Sequence, residues 1–483
     1  MASAFVLILL LLLVVPQSRF NWWYHNDEPS KVMQVMGGMR NLRHPPLMLS
    51  VVSFFSPGKG NGDEQKVVEC GRLFSTLCAG VALVALVWMA ALRAGSFAGA
   101  GAGLLLLFQP WFFEAAHYFK EDTLFLAGVV LTFTGMMLCE QNDNLPKRLF
   151  LAFALALCVS GKYAGWLAAP FAGFYLLRPA RKGGYAAALA GALFFAGLVL
   201  WWNWPLLADW NTFREAASDE GYRLIKGEYG LLVVSPAADY LRLLREQIPA
   251  VLGVGFVIYG GTCIWNFKKT RPVEWCLLAL PFFYFGIVAL SAKYSDRYLF
   301  PVFLLVCAAG YYGPVLILRR IWPGRAGCAA VLLLWSVALA DSYSRWLPVY
   351  LGFKSDSRGQ LAEYIRTRLP SDAVIAQDLN VSLNPAITGG RRIEEDVFVA
   401  DIGSVAELRA LGVTHVAVSY EAYHRFVDGW ISPVPAQRGQ FDRRAAFYRL
   451  ILKNKAAICW DRPNQVPKAL HPGLTLVDIE KVE

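Results

Sequence analysis

Eleven stretches of the chain are apolar for long enough, or nearly so, to cross a bilayer: 2–18, 73–92, 95–113, 122–139, 148–162, 163–177, 184–204, 248–266, 273–291, 298–318 and 325–342. A helical span needs about 20 such residues, fewer with interfacial flanks. The stretch 2–18 has no basic n-region and no small-residue cleavage site, so a retained span is expected rather than a signal peptide. The pair 148–162 and 163–177 can also be read as one tilted span, which would invert everything after it. Loop charges decide between the two layouts. Basic clusters stand at Lys147/Arg148, at Arg178 with Arg181 and Lys182, at Lys268/Lys269/Arg271, and at Arg319/Arg320 with Arg325. They share one side only when all eleven spans are kept, and the positive-inside rule makes that side cytoplasmic.

The opposite side then receives the loop 19–72, the turns HYFKED (117–122), SGKYAG (160–165) and SAKYSDRY (291–298), the loop 205–247, and a tail from about residue 345. In the tail the pattern changes. RGQLAEYIRTRLPSDAVIAQD reads as an amphipathic helix, a turn at Pro370 and a strand. GSVAELRALGVTHVAVS repeats the scheme, with Ser404 and Glu407 spaced as a capping box and Gly412 as a helix stop. Alternation of helix and strand predicts a small α/β domain. The expected layout is a polytopic α-helical membrane region, 1–344, followed by a soluble α/β domain, 345–483. The tail shows no phosphate-binding glycine fingerprint and no nucleophile motif.

Composition agrees with the span pattern. Of 483 residues, 56% are hydrophobic and 17% charged, with a mean hydropathy of +0.41, against about 25% charged in soluble proteins. Aromatic residues make up 14%, and many lie near span ends, where amphipathic rings suit headgroup depth. The net charge of +10 comes from short inter-span clusters rather than one basic face, which argues against nucleic acid. Most of the nine cysteines (Cys139, Cys158, Cys263, Cys276 and Cys307 among them) lie in apolar runs. There is no CxxC and no metal-ligand spacing, so neither a disulfide framework nor a zinc site is expected.

Candidate chemistry gathers on the non-cytoplasmic side. In HNDEP, Asp27 can N-cap a short helix starting at Glu28–Pro29, with Val32, Val35, Met36 and Met39 as its apolar stripe. Capping uses one carboxylate and leaves its neighbour unexplained. In RHPPLM the two prolines fix an extended entry to the next helix, and His44 either serves that turn or grips an anion. HYFKED supplies Lys120, Glu121 and Asp122, more charge than a tight turn needs, and juxtamembrane ionisable groups are functional candidates. Lys162, at a helix end, can simply snorkel. In SAKYSDRYLFP, Lys293, Asp296 and Arg297 precede a span, and the Arg297 guanidinium has the planar fork that suits phosphate oxygens. Together these groups fit a reaction on a lipid-borne phosphate, cations holding the phosphate and a carboxylate deprotonating the attacking group.

The run of HNDEP after a first span, HPPL, GRLFSTL with Arg72, HYFKED and DRYLFP resembles the membrane-embedded GT-C glycosyltransferases. The type is that of the dolichyl-phosphate-mannose protein mannosyltransferases and their bacterial relatives, including the aminoarabinose transferases of lipid A. The likeness covers roughly the first 340 residues. It implies a polyprenyl-phosphate sugar as donor and inverting transfer on the periplasmic side of a bacterial inner membrane. It also implies Asp27 as general base, Glu28 as its positioning partner, Asp122 as the acid after the outer turn, and His44 and Arg297 near the lipid phosphate. Arg72, Lys120, Glu121, Lys162 and Lys293 complete the expected substrate-binding set. Two features depart from the family pattern: a glycine-rich insert, SPGKGNGDEQK, and a short first apolar segment with no basic residue before it.

The expected protein is therefore a multi-pass glycosyltransferase acting on a lipid, glycan or protein acceptor. Carboxylates beside a lipid phosphate could hold Mg²⁺ or Mn²⁺, although no ligand spacing demands a metal. Rival readings are a lipid-linked-sugar transporter or flippase, for which inverted repeats, broken helices and mid-membrane charge are expected, and a non-catalytic envelope assembly protein.

Overall fold

A computed structural model of the chain describes residues 2–17, 25, 27–56, 64–178, 184–322 and 324–482. The centre of the glycine-rich insert and the pair Arg181/Lys182 lie outside these residues. The first half runs α1 (Ala2–Val14), α2 (Glu28–Gly37), α3 (Leu47–Phe55), α4 (Glu64–Ala94), α5 (Ser96–Leu107), α6 (Pro110–His117), α7 (Asp122–Gln141) and α8 (Leu145–Gly161).

Among the described residues, six helices are long and apolar enough to cross a membrane, or eight if each of two bent pairs counts as one span. The expected span 95–113 is one of those pairs: α5 and α6 meet at 69°, where Pro110 opens the second helix. The expected span 163–177 is a 3₁₀ turn, Tyr163–Ala168, and then a nine-residue helix, Ala169–Leu177, with Pro170 in its first turn. The pattern of apolar residues is right there, but the helix is not continuous. The chain is a multi-pass membrane protein with a sheet region at its C-terminus.

α4 is longer than the hydrocarbon core of a bilayer. Its 31 residues reach about 46 Å at 1.5 Å per residue, against a hydrocarbon core of about 30 Å. Roughly ten residues of α4 therefore have to lie outside that core. α7 packs between α4 and α8. A Cβ on Gly161 of α8 would fall 2.9 Å from the backbone of Phe125 in α7, so the helices approach this closely only with a small residue there. At the other end of α8, buried Arg148 pairs with Asp143 and donates to the Leu176 and Arg178 carbonyls at 3.0 and 2.6 Å. One residue of the expected cytoplasmic cluster thus also caps a neighbouring helix.

The C-terminal sheet follows the expected alternation. Strands β2 (Val374–Asp378), β3 (Arg392–Asp396), β4 (His415–Ser419), β6 (Ile458–Arg462) and β7 (Leu474–Asp478) form the order β3-β2-β4-β7-β6, parallel across the first three and antiparallel after them. Helix Ser357–Arg368 covers one face, and helices Tyr420–Val427 and Arg438–Lys453 cover the other. Ser404 and Glu407 form the capping box read from the sequence. A separate two-stranded pair joins β1 (Leu231–Val233) to β5 (Ile431–Pro433).

Candidate active site

The stretch HNDEP enters α2, with Asp27 in the N-cap position and Pro29 in the first turn, but Asp27 makes no side-chain cap bond. Its carboxylate points instead at Lys120, with which it forms an ion pair. Val32 and Val35 anchor the helix, whereas Met39 lies past its end and is exposed. The apolar stripe is thus one turn shorter than expected.

Glu28, next in sequence, is turned inward. Its side chain and that of Arg72 are both fully buried, joined by N–H donation from Arg72 Nε at 3.2 Å and Nη2 at 2.7 Å. The Phe119 backbone N–H donates to the same carboxylate at 2.9 Å. Glu28 therefore ties α2 to α4 and to the turn before α7. A short apolar helix could not fix that turn alone; a bidentate buried pair can.

The turn then delivers three charged residues in succession. Lys120 faces Asp27. Glu121 is buried and pairs with Lys31 of α2. Asp122 is buried and accepts from Lys162 Nζ at 2.7 Å. Arg297, from the start of a later helix, reaches both sides, with Nη1 3.5 Å from Asp122 and 3.8 Å from Asp27. Among the described residues of this cluster, four carboxylates face five cations. Asp27 differs from the other acids. Its side chain is 46% exposed, against 0% for Glu28, 4% for Glu121 and 5% for Asp122.

Electrostatics follow from this arrangement. Burial alone would raise the Asp27 carboxyl, but the neighbouring His25, Arg297, Lys31 and His44 outweigh it and hold the group well below the usual carboxylate range. Glu121 is likewise pulled down to about 2 against its burial, chiefly by Lys31. Burial, reinforced by Arg297, pushes the His25 imidazole down to about 3. His25 is then neutral at pH 7, as its ring requires, because Nδ1 accepts the Asp27 backbone N–H at 3.1 Å.

Of the residues singled out in the sequence, Asp27, Glu28, Arg72, Lys120, Glu121, Asp122, Lys162 and Arg297 converge. His44 lies beside them in a narrow cleft lined by Lys31, Gln34, Arg40 and Glu121. Lys293 pairs with Glu220 of helix Trp210–Lys226 at 2.7 Å and adjoins the cluster through the Tyr298 ring, which its ammonium and that of Lys162 approach at 6.0 and 5.4 Å. Two participants were not singled out, His25 and Lys31. Lys31 stands three residues after Glu28 and four after Asp27, on the same helical face, and that spacing was the available signal.

A multi-pass helical bundle that gathers ion pairs from its loops at one end, followed by a small mixed sheet, has the architecture of the GT-C glycosyltransferases. The chain superposes on ArnT from Cupriavidus metallidurans bound to undecaprenyl phosphate, with a TM-score of 0.51 and 14% identity over 98% of this chain and 97% of that one. The apo state of the same protein matches equally. The Archaeoglobus fulgidus oligosaccharyltransferase complex with Zn and sulfate matches at a TM-score of 0.51 and 10% identity, over 93% of this chain and 71% of that one. The family model for dolichyl-phosphate-mannose-protein mannosyltransferase matches residues 43–202, about a third of the chain. Sequence comparison with curated proteins finds no match. The chain therefore has a GT-C-like fold.

Proposed function

We propose that the protein is an integral-membrane glycosyltransferase. It moves a sugar from a polyprenyl-phosphate donor to a lipid, glycan or protein acceptor at the periplasmic face of a bacterial inner membrane. One observation carries this reading: Asp27 is the accessible carboxylate of a cation-rich cluster whose other acids are buried and paired. The GT-C fold and the family match support it.

In this reading Lys120 and Arg297 turn from Asp27 to the donor phosphate. Asp27, relieved of those cations and facing added negative charge, regains basicity. It takes the proton of the acceptor hydroxyl as that oxygen attacks the anomeric carbon. The carbon–oxygen bond to phosphate breaks, its electron pair leaves with the phosphate, and the cations stabilise that charge. Direct displacement of this kind inverts the anomeric centre. Glu28 and Arg72 position the turn. A divalent ion at Asp27 would have to displace Lys120 or Arg297.

A transporter reading draws on the two bent helix pairs. Their breaks, at Phe108–Gln109 and Ile248–Pro249, carry no charged side chain, which favours the enzyme. The test is mass spectrometry of polyprenyl-phosphate lipids in cells lacking the protein, complemented with wild type or Asp27→Asn at equal expression. A polyprenyl-phosphate sugar that builds up in the deletion and stays high with Asp27→Asn is the expected result. Unchanged lipids, or full restoration by Asp27→Asn, would defeat the proposal. Turnover by purified protein in detergent separates transfer from transport.

A further inference from the structure

The C-terminal sheet brings together three potential ligands that no spacing in the sequence announces. His415 opens β4 and lies directly across from Asp478, the last residue of β7. Cross-strand partners present their side chains on the same face. On the far side of β7, the pairing of β6 slips between Ile458 and Trp460, leaving Cys459 as the extra residue of a bulge. Bulges re-aim side chains, and this one does. Ile458 packs into the core on one face, while Cys459 and Trp460 both turn to the other, beside Ile375 and Leu476. That second face is the one His415 and Asp478 share. An imidazole nitrogen, a thiol sulfur and a carboxylate oxygen from three adjacent strands thus lie within 4.8 Å of one another, with His415 buried.

We propose that His415, Cys459 and Asp478 form a binding site for a borderline-soft divalent transition metal, zinc foremost. A thiolate with an imidazole disfavours Mg²⁺ and Ca²⁺, which take oxygen ligands, and suits Zn²⁺ or Co²⁺. Tetrahedral zinc holds its ligand atoms about 3.3–3.8 Å apart, given bonds of about 2.0–2.3 Å. The three atoms therefore need only side-chain adjustment to close on an ion, which leaves a fourth position for water. The Cys459 thiol, now donating to the Ala457 carbonyl at 3.6 Å, gives its proton to solvent as it ligates. The Lys481 ammonium sits 2.8 Å from Asp478 Oδ2 and competes with a metal for this carboxylate. A metal here would clip edge strand β6 to the centre of the sheet.

The site stands apart from the Asp27 cluster and does not depend on the proposed transfer reaction. The test uses the full chain in detergent, stripped with chelator and titrated with Co²⁺. Wild type is expected to show one equivalent of a near-ultraviolet thiolate-to-cobalt charge-transfer band, bleached by Zn²⁺. Cys459→Ser abolishes the band. His415→Ala weakens Co²⁺ binding by at least about tenfold, since losing even an outer partner of a metal ligand costs 10–100-fold. Lys481→Met removes the competing ammonium and tightens binding about two- to fivefold, the range of an exposed ion pair. That gain also keeps the proposal testable should a ligand variant fail to fold. No band in wild type, a band that survives Cys459→Ser, or no gain with Lys481→Met overturns the site.

Discussion

Replacing Glu28 by glutamine removes one charge from a pair in which both side chains are fully buried. The amide can still accept from the Phe119 N–H, but it removes the carboxylate charge that faces the Arg72 guanidinium in a low-dielectric setting. Breaking such a pair from one side costs about 3–5 kcal/mol, because the remaining charge is left uncompensated. Arg72→Met should cost a similar amount. The double variant Glu28→Gln/Arg72→Met combines the same two substitutions and removes both charges together. Among the described groups it leaves mainly the N–H donors of the new buried amide to satisfy, worth about 1–3 kcal/mol. The two single costs then exceed the double cost, with a coupling of about 3 kcal/mol or more. Unfolding of the purified protein in detergent, followed by circular dichroism, measures all four corners of this cycle. Turnover should fall in every variant, the stable double included, because the turn carrying Lys120 and Asp122 is no longer pinned and small displacements of reacting groups are costly. Single variants within about 0.5 kcal/mol of wild type, or costs that simply add, would refute the role assigned to the pair.

Other outcomes follow from the same geometry. Asp27→Asn leaves the buried Lys120 ammonium without its carboxylate partner, so it should melt somewhat below wild type. While still folded, it should lose about 10²–10⁴ of the transfer rate, the usual worth of a general base. A melting point lowered in proportion to the rate would instead make Asp27 structural. Gly71→Ala places a methyl group against the Phe119 ring, so it should lower turnover by shifting the turn, and a Phe119→Leu second change should restore part of it. Glu121 is held down to about 2 from an ordinary 4.5, so its contribution to stability is complete above about pH 4.5 and lost as pH falls towards 2. In Lys31→Met, burial dominates and the loss moves to higher pH, which melting curves between pH 3 and 6 would reveal.

The parts of the site legible in the sequence were those whose chemistry was local. HYFKED contributes three charged side chains in a row, and any turn there has to present them near one another. Arg297 was readable as a guanidinium at a span start. The opposite duties of Asp27 and Glu28 were not readable. Adjacent residues at a helix start point in different directions, and only the position of Arg72 on α4 shows which one turns inward. The pairing of Lys293 was not readable for a related reason. Its partner, Glu220, comes from a helix far away in sequence, and nothing in SAKYSDRY reveals that competition. The His415, Cys459 and Asp478 grouping lay beyond reading altogether, because it depends on the order β4-β7-β6 and on one extra residue in β6. Helix–strand alternation predicted that strands would exist, and their neighbours remained open.

The pairing of β1 with β5 has a consequence for how the chain threads the bilayer. Two strands exchanging backbone hydrogen bonds must share one aqueous compartment, so the number of crossings between Val233 and Ile431 must be even. The four spans expected between 248 and 342 meet that requirement, and three or five would not. The ion pair of Arg43 with Asp219, at 2.7 Å, sets the same condition on the earlier helices. Parity does not fix the total number of crossings. It does mean that the orientation set by loop charge during insertion is checked again on folding, since a helix inserted the wrong way would strand one half of each pair across the membrane from the other.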